Sequence, residues 1–223
     1  MGIPVLVIGK SGSGKSASLR NFEPDEVGII NVMGKPLPFR NKLKTFQTRD
    51  YTTIHQALTQ ATTPSIVIDD AGYLITDYFM TNHSKAGGGN AVFQLYNDLA
   101  DKFYNLIVAV PSLPDDKIVY FFMHEDENDN GNIRPKTIGR LLDEKVDVAG
   151  LFTIVLRCVG DQAKHVFMTQ TSGFDVAKSP MGMFDSVEID NDLKFVDTRI
   201  RDFYNLQGKA PTTTKKQEDG KNA

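Results

Sequence analysis

A glycine-rich octapeptide near the amino terminus constrains the fold of this chain more than any other feature. The residues Gly9-Lys10-Ser11-Gly12-Ser13-Gly14-Lys15-Ser16 match the pattern G-x-x-x-x-G-K-S/T at every position. The apolar run 3–8 before it predicts a buried strand, and the segment 15–21 after it predicts a helix. A turn of this kind lets backbone N–H groups point inward at phosphate oxygens, so it predicts a phosphate-binding loop.

The positions of this motif have distinct expected roles. Lys15 is expected to reach the β- and γ-phosphates of a nucleotide, and the Ser16 hydroxyl is expected to ligate Mg²⁺. The helix that begins near Lys15 is expected to add the positive end of its dipole. The residues predicted to contact the nucleotide are Gly9, Lys10, Ser11, Gly12, Ser13, Gly14, Lys15, Ser16 and Ser18.

A second apolar run, 65–68, ends in the two acidic residues Asp69 and Asp70. We expect Asp69 to hold Mg²⁺, directly or through water, as the second element of a phosphate-loop nucleotidase. Asp70 is the first candidate for polarising an attacking water molecule. The alternative for this segment is a strand that ends in an ordinary polar turn.

A third apolar run, 119–123, ends in His124 and Glu125. In open α/β sheets ligands bind at the carboxyl ends of the strands. His124 is therefore a candidate sensor of the γ-phosphate, and Glu125 is the second candidate for the catalytic base. The alternative is a histidine that finishes a strand and bonds locally.

The order of predicted elements indicates the fold class. Strands alternate with helices through the first 125 residues, which is typical of an α/β protein with a parallel sheet and helices on both faces. The strand pair 151–159 and 165–171 predicts an antiparallel extension. We expect one domain over residues 1–207 and a disordered tail over 208–223, where apolar side chains are nearly absent.

Composition limits the partners that this chain can have. The formal charge is −3, and because the tail carries +2 the body carries −5, which excludes a strongly basic nucleic-acid coat. The single cysteine, Cys158, excludes an internal disulfide and a multi-cysteine metal site, and it favours a reducing, cytoplasmic compartment. No apolar run approaches the ~20 residues that span a bilayer, so no membrane partner is expected.

These motifs resemble a known family when they are taken in chain order. After the phosphate loop and the strands ending at Asp69-Asp70 and His124-Glu125, an acidic hairpin leads to Arg134-Pro135-Lys136, and Ala177-Lys178-Ser179 follows later. In this order they resemble the minimal RecA-like ATPases encoded by bacteriophages, in the Sak-type superfamily of single-strand annealing and recombination proteins. The resemblance covers about residues 3–185.

The resemblance implies a RecA-like P-loop fold, ATP and Mg²⁺ as cofactors, and the cytoplasm of a bacterial host. It implies a homo-oligomer, a ring or a filament, in which a neighbour's basic residue touches the γ-phosphate, with Lys178 and Arg140 as candidates. It also implies contacts with single-stranded DNA from Lys85, Arg134 and Lys136. A single-strand DNA-binding protein is a further partner that the resemblance allows.

Three functions remain open at this stage. The first is an ATPase that acts on single-stranded DNA in phage recombination or replication, with a turnover that is low or DNA-dependent. The second is a nucleotide kinase, although the sequence contains no compact arginine-rich lid. The third is a nucleotide-binding assembly protein with little turnover.

Overall fold

A mixed sheet of nine strands organises the computed structural model, which describes residues 1–85, 87, 89–128, 130–143, 145–161 and 164–206. The predicted tail, 208–223, lies outside the described residues. The strands are β1 (Ile3–Gly9), β2 (Val27–Asn31), β3 (Thr45–Gln47), β4 (Ser65–Asp69), β5 (Ile118–Glu127), β6 (Ile133–Pro135), β7 (Ile154–Gly160), β8 (His165–Met168) and β9 (Glu188–Asp190). Their order across the sheet is β3-β2-β4-β5-β1-β7-β8-β9, and β6 pairs with β5.

Parallel pairing links β3, β2, β4, β5, β1 and β7, whereas β6, β8 and β9 pair antiparallel. The predicted α/β class, with a mostly parallel sheet and an antiparallel extension, is confirmed. One strand, β5, separates β4 from β1, so the acidic end of β4 and the glycine-rich turn after β1 are not on adjacent strands.

The helices are α1 (Tyr51–Gln60), α2 (Gly72–Asn82), α3 (Asn90–Val108), α4 (Arg140–Asp143) and α5 (Leu193–Tyr204). Short 3₁₀ helices lie at Ser16–Asn21, His83–Lys85, Val110–Ser112 and Ala149–Leu151. Capping residues mark the starts of α1 and α5, because the Asp50 side chain accepts from the Thr53 N–H and the Asp192 side chain accepts from the first turn of α5. Within the described residues, no helix is both long and apolar enough to cross a membrane.

Two apolar layers cover the two faces of the sheet. Alternate side chains of β1 divide between them, with Leu6 on the face that packs against α1, α2 and α3, and Val7 on the face that packs against α5. Phe121 and Phe122 of β5 are fully buried in opposite layers. Each such side chain contributes about 1.5–3 kcal/mol through its burial. The central strands are therefore held from both sides, which keeps their carboxyl ends in fixed positions.

Several elements differ from the sequence prediction. The helix expected over 15–21 is a six-residue 3₁₀ helix, because the Ser18 N–H is shared between the Gly14 and Lys15 carbonyls and Pro24 follows closely. The Ser18 hydroxyl also donates to the Lys15 carbonyl. The strand predicted at 165–171 ends at residue 168, and the short strands β6 and β9 were not predicted.

Candidate functional site

Parallel register brings residues of four strands, β1, β2, β4 and β5, to one edge of the sheet. Gly9 at the end of β1 pairs with His124 in β5, and Asp69 at the end of β4 pairs with Asn31 at the end of β2. We term this the carboxyl edge, and we term residues Gly9–Ser16 the glycine-rich loop. Across the edge lie, in order, the turn after β2, the pair Asp69 and Asp70 after β4, His124 in β5, and the glycine-rich loop after β1. Most of the candidate site residues that the sequence analysis named therefore lie at this edge.

The glycine-rich loop curls because two of its glycines have left-handed backbones. Gly12 has φ +78° and Gly14 has φ +104°, conformations that strain other residues. A Cβ on Gly14 would also lie 3.1 Å from His165 Nδ1. Lys15, only 7% exposed, folds back so that its Nζ donates to the Gly9 carbonyl at 2.7 Å and to the Lys10 carbonyl at 2.9 Å. Burial lowers the pKa of Lys15.

Ser16 and Asp69 meet across the edge of the sheet. The Ser16 Oγ donates to Asp69, lying 3.0 Å from Oδ1 and 3.1 Å from Oδ2. Asp69 is 8% exposed, and burial, together with the neighbouring charge of Asp70, raises its pKa to about 6. A hydroxyl and a carboxylate are hard oxygen donors, so the pair fits the ligand set that Mg²⁺ prefers.

No group of three or more His, Cys, Asp or Glu side chains able to hold a metal occurs in the described parts of the chain. Mg²⁺ sites of nucleotide-binding proteins commonly use one or two protein oxygens and complete their octahedron with water and phosphate oxygens. The Ser16–Asp69 pair is of that type.

Asp70 has an unusual backbone and two basic neighbours. Its φ of +63° is left-handed, a conformation that Asp tolerates better than most residues. Lys35 Nζ lies 2.7 Å from Oδ2, and His124 Nε2 lies 3.5 Å from Oδ1. Burial alone would raise the pKa of Asp70, but hydrogen bonds from His124 and Lys35 outweigh burial and lower it. Asp70 is therefore held as a carboxylate.

Tyr73, in the first turn of α2, contacts both basic neighbours of Asp70. Its ring meets the His124 ring edge-on, with centroids 5.7 Å apart, and Lys35 Nζ lies 5.1 Å from the Tyr73 centroid. These contacts orient His124 and the Lys35 ammonium at the same end of the sheet.

Glu125 has a different environment from its neighbour His124. Its side chain, 3% exposed, accepts from Arg157 Nε at 2.9 Å and from Arg157 Nη2 at 3.1 Å. Arg157 also lies 3.6 Å from Asp175. A buried, bidentate ion pair of this kind leaves Glu125 less free to take a proton than Asp70.

The glycine-rich loop is supported from behind by the carboxyl-terminal part of the chain. The Ser13 carbonyl accepts from the Cys158 thiol at 3.0 Å and lies 2.8 Å from His165 Nδ1. Asn191 Nδ2 lies 3.2 Å from the Cys158 sulfur. Burial raises the pKa of the Cys158 thiol to about 11, so the thiol stays protonated and donates. The antiparallel extension therefore forms one wall of the loop.

The remaining candidates for nucleotide contact divide into two groups. Lys10, Ser11 and Gly12 are exposed at the mouth of the loop, whereas Ser13 and Ser18 are buried. The Ser13 Oγ is buried and has no hydrogen-bond partner among the described residues. An unpaired buried hydroxyl within this loop is an unsatisfied polar atom at the predicted binding site.

The two candidates for a contact with a neighbouring protomer belong to other segments of the chain. Lys178 forms two backbone hydrogen bonds with Val155, which pairs with Leu6, three residues before Gly9. Arg140 is the first residue of α4.

The three candidates for contact with DNA lie on two segments. Lys85 ends a 3₁₀ helix after α2 and is exposed. Arg134 of β6 pairs with Asp143 at 3.0 Å. Lys136 is exposed just after β6, and its backbone N–H donates to the His124 carbonyl at 2.7 Å. The β5–β6 hairpin thus connects the Lys136 segment directly to His124.

Sequence reasoning missed three residues that the structure brings to this site. Lys35 and Arg157 pair with Asp70 and Glu125, and His165 contacts the loop backbone. Arg157 lies near the carboxyl end of the predicted strand 151–159, which was a usable signal, and Lys35 lies four residues after β2. No local signal marked His165, because its contact with Ser13 spans 152 positions.

No family model matches this sequence, and no curated protein matches it.

Proposed function

We propose that this chain binds ATP with Mg²⁺ at the glycine-rich loop and hydrolyses it. The observation that supports the proposal best is the direct contact of Ser16 with Asp69, next to a lysine held inside a loop of matching sequence. These three groups supply a cation for the phosphates and two oxygens for the metal. The unpaired Ser13 hydroxyl is a further polar atom within the same loop.

Lys15 changes partners in this proposal. Its two carbonyl bonds hold the ammonium inside the loop, and phosphate oxygens of ATP replace those carbonyls as acceptors. Ser16 and Asp69 would hold the Mg²⁺, and the ion would supply positive charge to the β- and γ-phosphates. The oxygen of a water molecule then bonds to the γ-phosphorus, and the bond to the β,γ-bridging oxygen breaks. ADP leaves with that electron pair, inorganic phosphate carries the added oxygen and one proton of the water, and the other proton passes to the solvent.

Asp70 is the residue we propose to orient the attacking water. It lies next to Asp69, remains ionised, and has the left-handed backbone that is often found at functional sites. His124, 3.5 Å from Asp70, is proposed to sense the γ-phosphate. Glu125 is the second candidate, after Asp70, for the residue that orients the water, because its carboxylate is already bound to Arg157.

Single-stranded DNA is proposed as the polymer that regulates this turnover, as the family resemblance implies. The exposed Lys85 and Lys136 are the proposed phosphate contacts, while Arg134 is paired with Asp143. The bond from the Lys136 N–H to the His124 carbonyl offers a short route between DNA and the γ-phosphate sensor. A RecA-like homo-oligomer, with Lys178 or Arg140 reaching the neighbour's nucleotide, belongs to the same proposal.

The decisive experiment measures phosphate release from ATP by wild type, Lys15→Ala and Lys44→Ala, each with and without single-stranded DNA. Lys44 is an exposed lysine just before β3, so its substitution is a matched control for charge. We expect DNA-stimulated hydrolysis in wild type and in Lys44→Ala, and a loss of about 100-fold or more in Lys15→Ala. Circular dichroism checks that Lys15→Ala remains folded.

Undiminished hydrolysis by Lys15→Ala would remove the proposed site. Transfer of the γ-phosphate to a nucleoside monophosphate would replace the hydrolase by a kinase. Nucleotide binding without turnover, under all DNA conditions, would favour the assembly protein. A specific activity that stays constant on dilution of a monomeric sample would remove the contact between protomers.

A further inference from the structure

Lys35 occupies a position at the carboxyl edge that no motif assigns. It follows β2, the strand next to β4, and its Nζ lies 2.7 Å from Asp70 Oδ2. Lys15 follows β1 and Lys35 follows β2, the strands on the two sides of β4 and β5, and both lysines feel the charges of Asp69 and Asp70. The two carboxylates therefore lie between two lysines, of which sequence analysis predicted only one.

The turn that presents Lys35 is held in one conformation. The buried Asn31 side chain donates from Nδ2 to the Lys35 carbonyl at 2.6 Å and accepts at Oδ1 from the Gly34 N–H at 2.7 Å. Gly34 has φ +68°, and a Cβ there would lie 2.3 Å from the Gln47 side chain. The backbone of Lys35 is thus fixed by a buried amide and by a glycine that other residues replace only with strain.

The backbone of Lys35 is fixed, but its side chain is free to move in solvent, because 57% of the side chain is exposed. A four-carbon stem with an exposed ammonium group can exchange one anionic partner for another at little cost. Its partner Asp70 follows Asp69 directly, and Asp69 contacts Ser16. A cation and a terminal phosphate held at Ser16 and Asp69 would therefore be next to the residue that Lys35 contacts.

We infer that Lys35 is a second lysine for the terminal phosphate, and that it moves from Asp70 to the γ-phosphate when ATP binds. ADP lacks that phosphate, so with ADP bound Lys35 stays on Asp70. The move gives ATP a contact that ADP does not have, and it leaves Asp70 with His124 alone, open to a water molecule. The inference rests on the proposed function and adds to it the means by which the site distinguishes ATP from ADP.

The test measures the affinities of fluorescent ADP and of a non-hydrolysable fluorescent ATP analogue, both with Mg²⁺. The proteins are wild type, Lys35→Met, Lys35→Arg and the control Lys42→Met, which removes an exposed lysine further along the same loop. We expect Lys35→Met to weaken binding of the ATP analogue about tenfold, as for the loss of one charge-assisted hydrogen bond. Its affinity for ADP should stay within about twofold of wild type, and Lys35→Arg should keep most of the preference.

Salt provides a second readout. Salt screens the contact between the exposed Lys35 ammonium and the phosphate, so rising salt should reduce the preference of wild type for the ATP analogue over ADP. In Lys35→Met, which lacks this ammonium, the ratio of the two affinities should change little.

Three outcomes would overturn the inference. Equal losses for both nucleotides in Lys35→Met would mean that Lys35 only supports the shape of the site. Unchanged affinities for both would mean that Lys35 does not contact the nucleotide, although the proposed function would stand. Failure of wild type and Lys42→Met to bind either nucleotide would remove the proposed function itself, and the Lys35 contact with it.

Discussion

Two polar clusters lie against the same sheet, and they are built in opposite ways. One is the carboxyl edge, with Lys15, Asp69 and Asp70. The other, which we term the α5 cluster, consists of Ser65, Tyr120, Asp197 and Arg201 and lies where α5 crosses β4 and β5. Both bury charge, but the carboxyl edge also contains Lys35, whose side chain is 57% exposed, whereas those of Arg201 and Asp197 are 15% and 9% exposed.

The α5 cluster pairs its polar atoms closely. Asp197 accepts from Ser65 and from Tyr120 Oη at 2.9 Å, and Arg201 Nε donates to it at 2.6 Å. Arg201 further donates to Ser65 Oγ and to the Asp116 carbonyl, both at 2.8 Å. Burial and the Asp197 charge raise the pKa of Tyr120, which therefore remains a donor. Such a network fixes α5 on the sheet and leaves few bonds for a ligand.

The carboxyl edge is less completely paired within the protein. Lys15 is held by carbonyls, Asp70 has a left-handed backbone, and Lys35 is mostly exposed. In the proposed function a ligand replaces partners of this kind, whereas the polar groups of the α5 cluster are paired with one another and serve stability.

The largest effect on stability is expected for Asp197→Ala. Removing one partner from a buried ion pair leaves the Arg201 charge unpaired, which costs about 3–5 kcal/mol in the free energy of unfolding. The urea midpoint measures this loss, and nucleotide affinity under native conditions should stay near wild type. Asp202→Ala, at an exposed position of α5, should change stability by at most about 0.5 kcal/mol. An Asp197→Ala midpoint close to wild type would show that the α5 cluster is not the stabilising one.

Asp69→Asn should lose activity while it keeps its stability, the opposite of Asp197→Ala. The amide keeps the size of the carboxylate but loses its charge toward Mg²⁺, so the rate of ATP hydrolysis should fall about 100-fold or more. Stability should not fall, because burial already disfavours the Asp69 carboxylate, as its raised pKa indicates. Phosphate release and a urea titration of the same sample measure both. A variant that unfolds easily while retaining its rate would reverse the assigned roles of the two clusters.

A smaller effect is expected at the wall of the glycine-rich loop. His165→Ala removes the contact with the Ser13 carbonyl, so nucleotide affinity should fall about fivefold, which corresponds to roughly 1 kcal/mol for one hydrogen bond. His165→Asn retains a donor near the position of Nδ1 and should recover part of the loss. Calorimetric titration with nucleotide distinguishes these variants. Equal affinities for all three proteins would mean that the wall does not support binding.

The smallest effect concerns the thiol of Cys158. Because the thiol is buried and its pKa is raised to about 11, alkylation of the native protein at pH 8 should be slow and should accelerate as pH rises toward that value. The thiol donates to the Ser13 carbonyl of the glycine-rich loop, so nucleotide bound at the loop should hold the thiol more firmly. Bound nucleotide should therefore slow alkylation by a further factor of about two to five. Mass spectrometry of timed samples measures the rate. Fast labelling at pH 8 would show that the wall opens readily.

Local pattern was sufficient for much of the fold. The apolar runs at β1, β4 and β5 are long enough to be buried strands, and the spacing of Ile54 and Leu58 marks the buried face of α1. The octapeptide with Lys15 and Ser16 was equally visible, because its glycines and its lysine are adjacent in the chain. The 3₁₀ form of the helix after the octapeptide could not be predicted. It depends on the sharing of the Ser18 N–H between two carbonyls, and the residue pattern does not contain that turn geometry.

The sequence alone determined the α/β class, the glycine-rich loop and the acidic end of β4, because each depends on neighbours within a few residues. Only the tertiary structure decided which groups face each other. It placed β5 between β4 and β1 and set Lys35 on Asp70, and it gave the contact by which Ser16 and Asp69, both expected near one Mg²⁺, meet. The reason is physical: strand order and register are chosen by the packing of whole faces, and contacts between positions 16 and 69 or 35 and 70 follow from that choice.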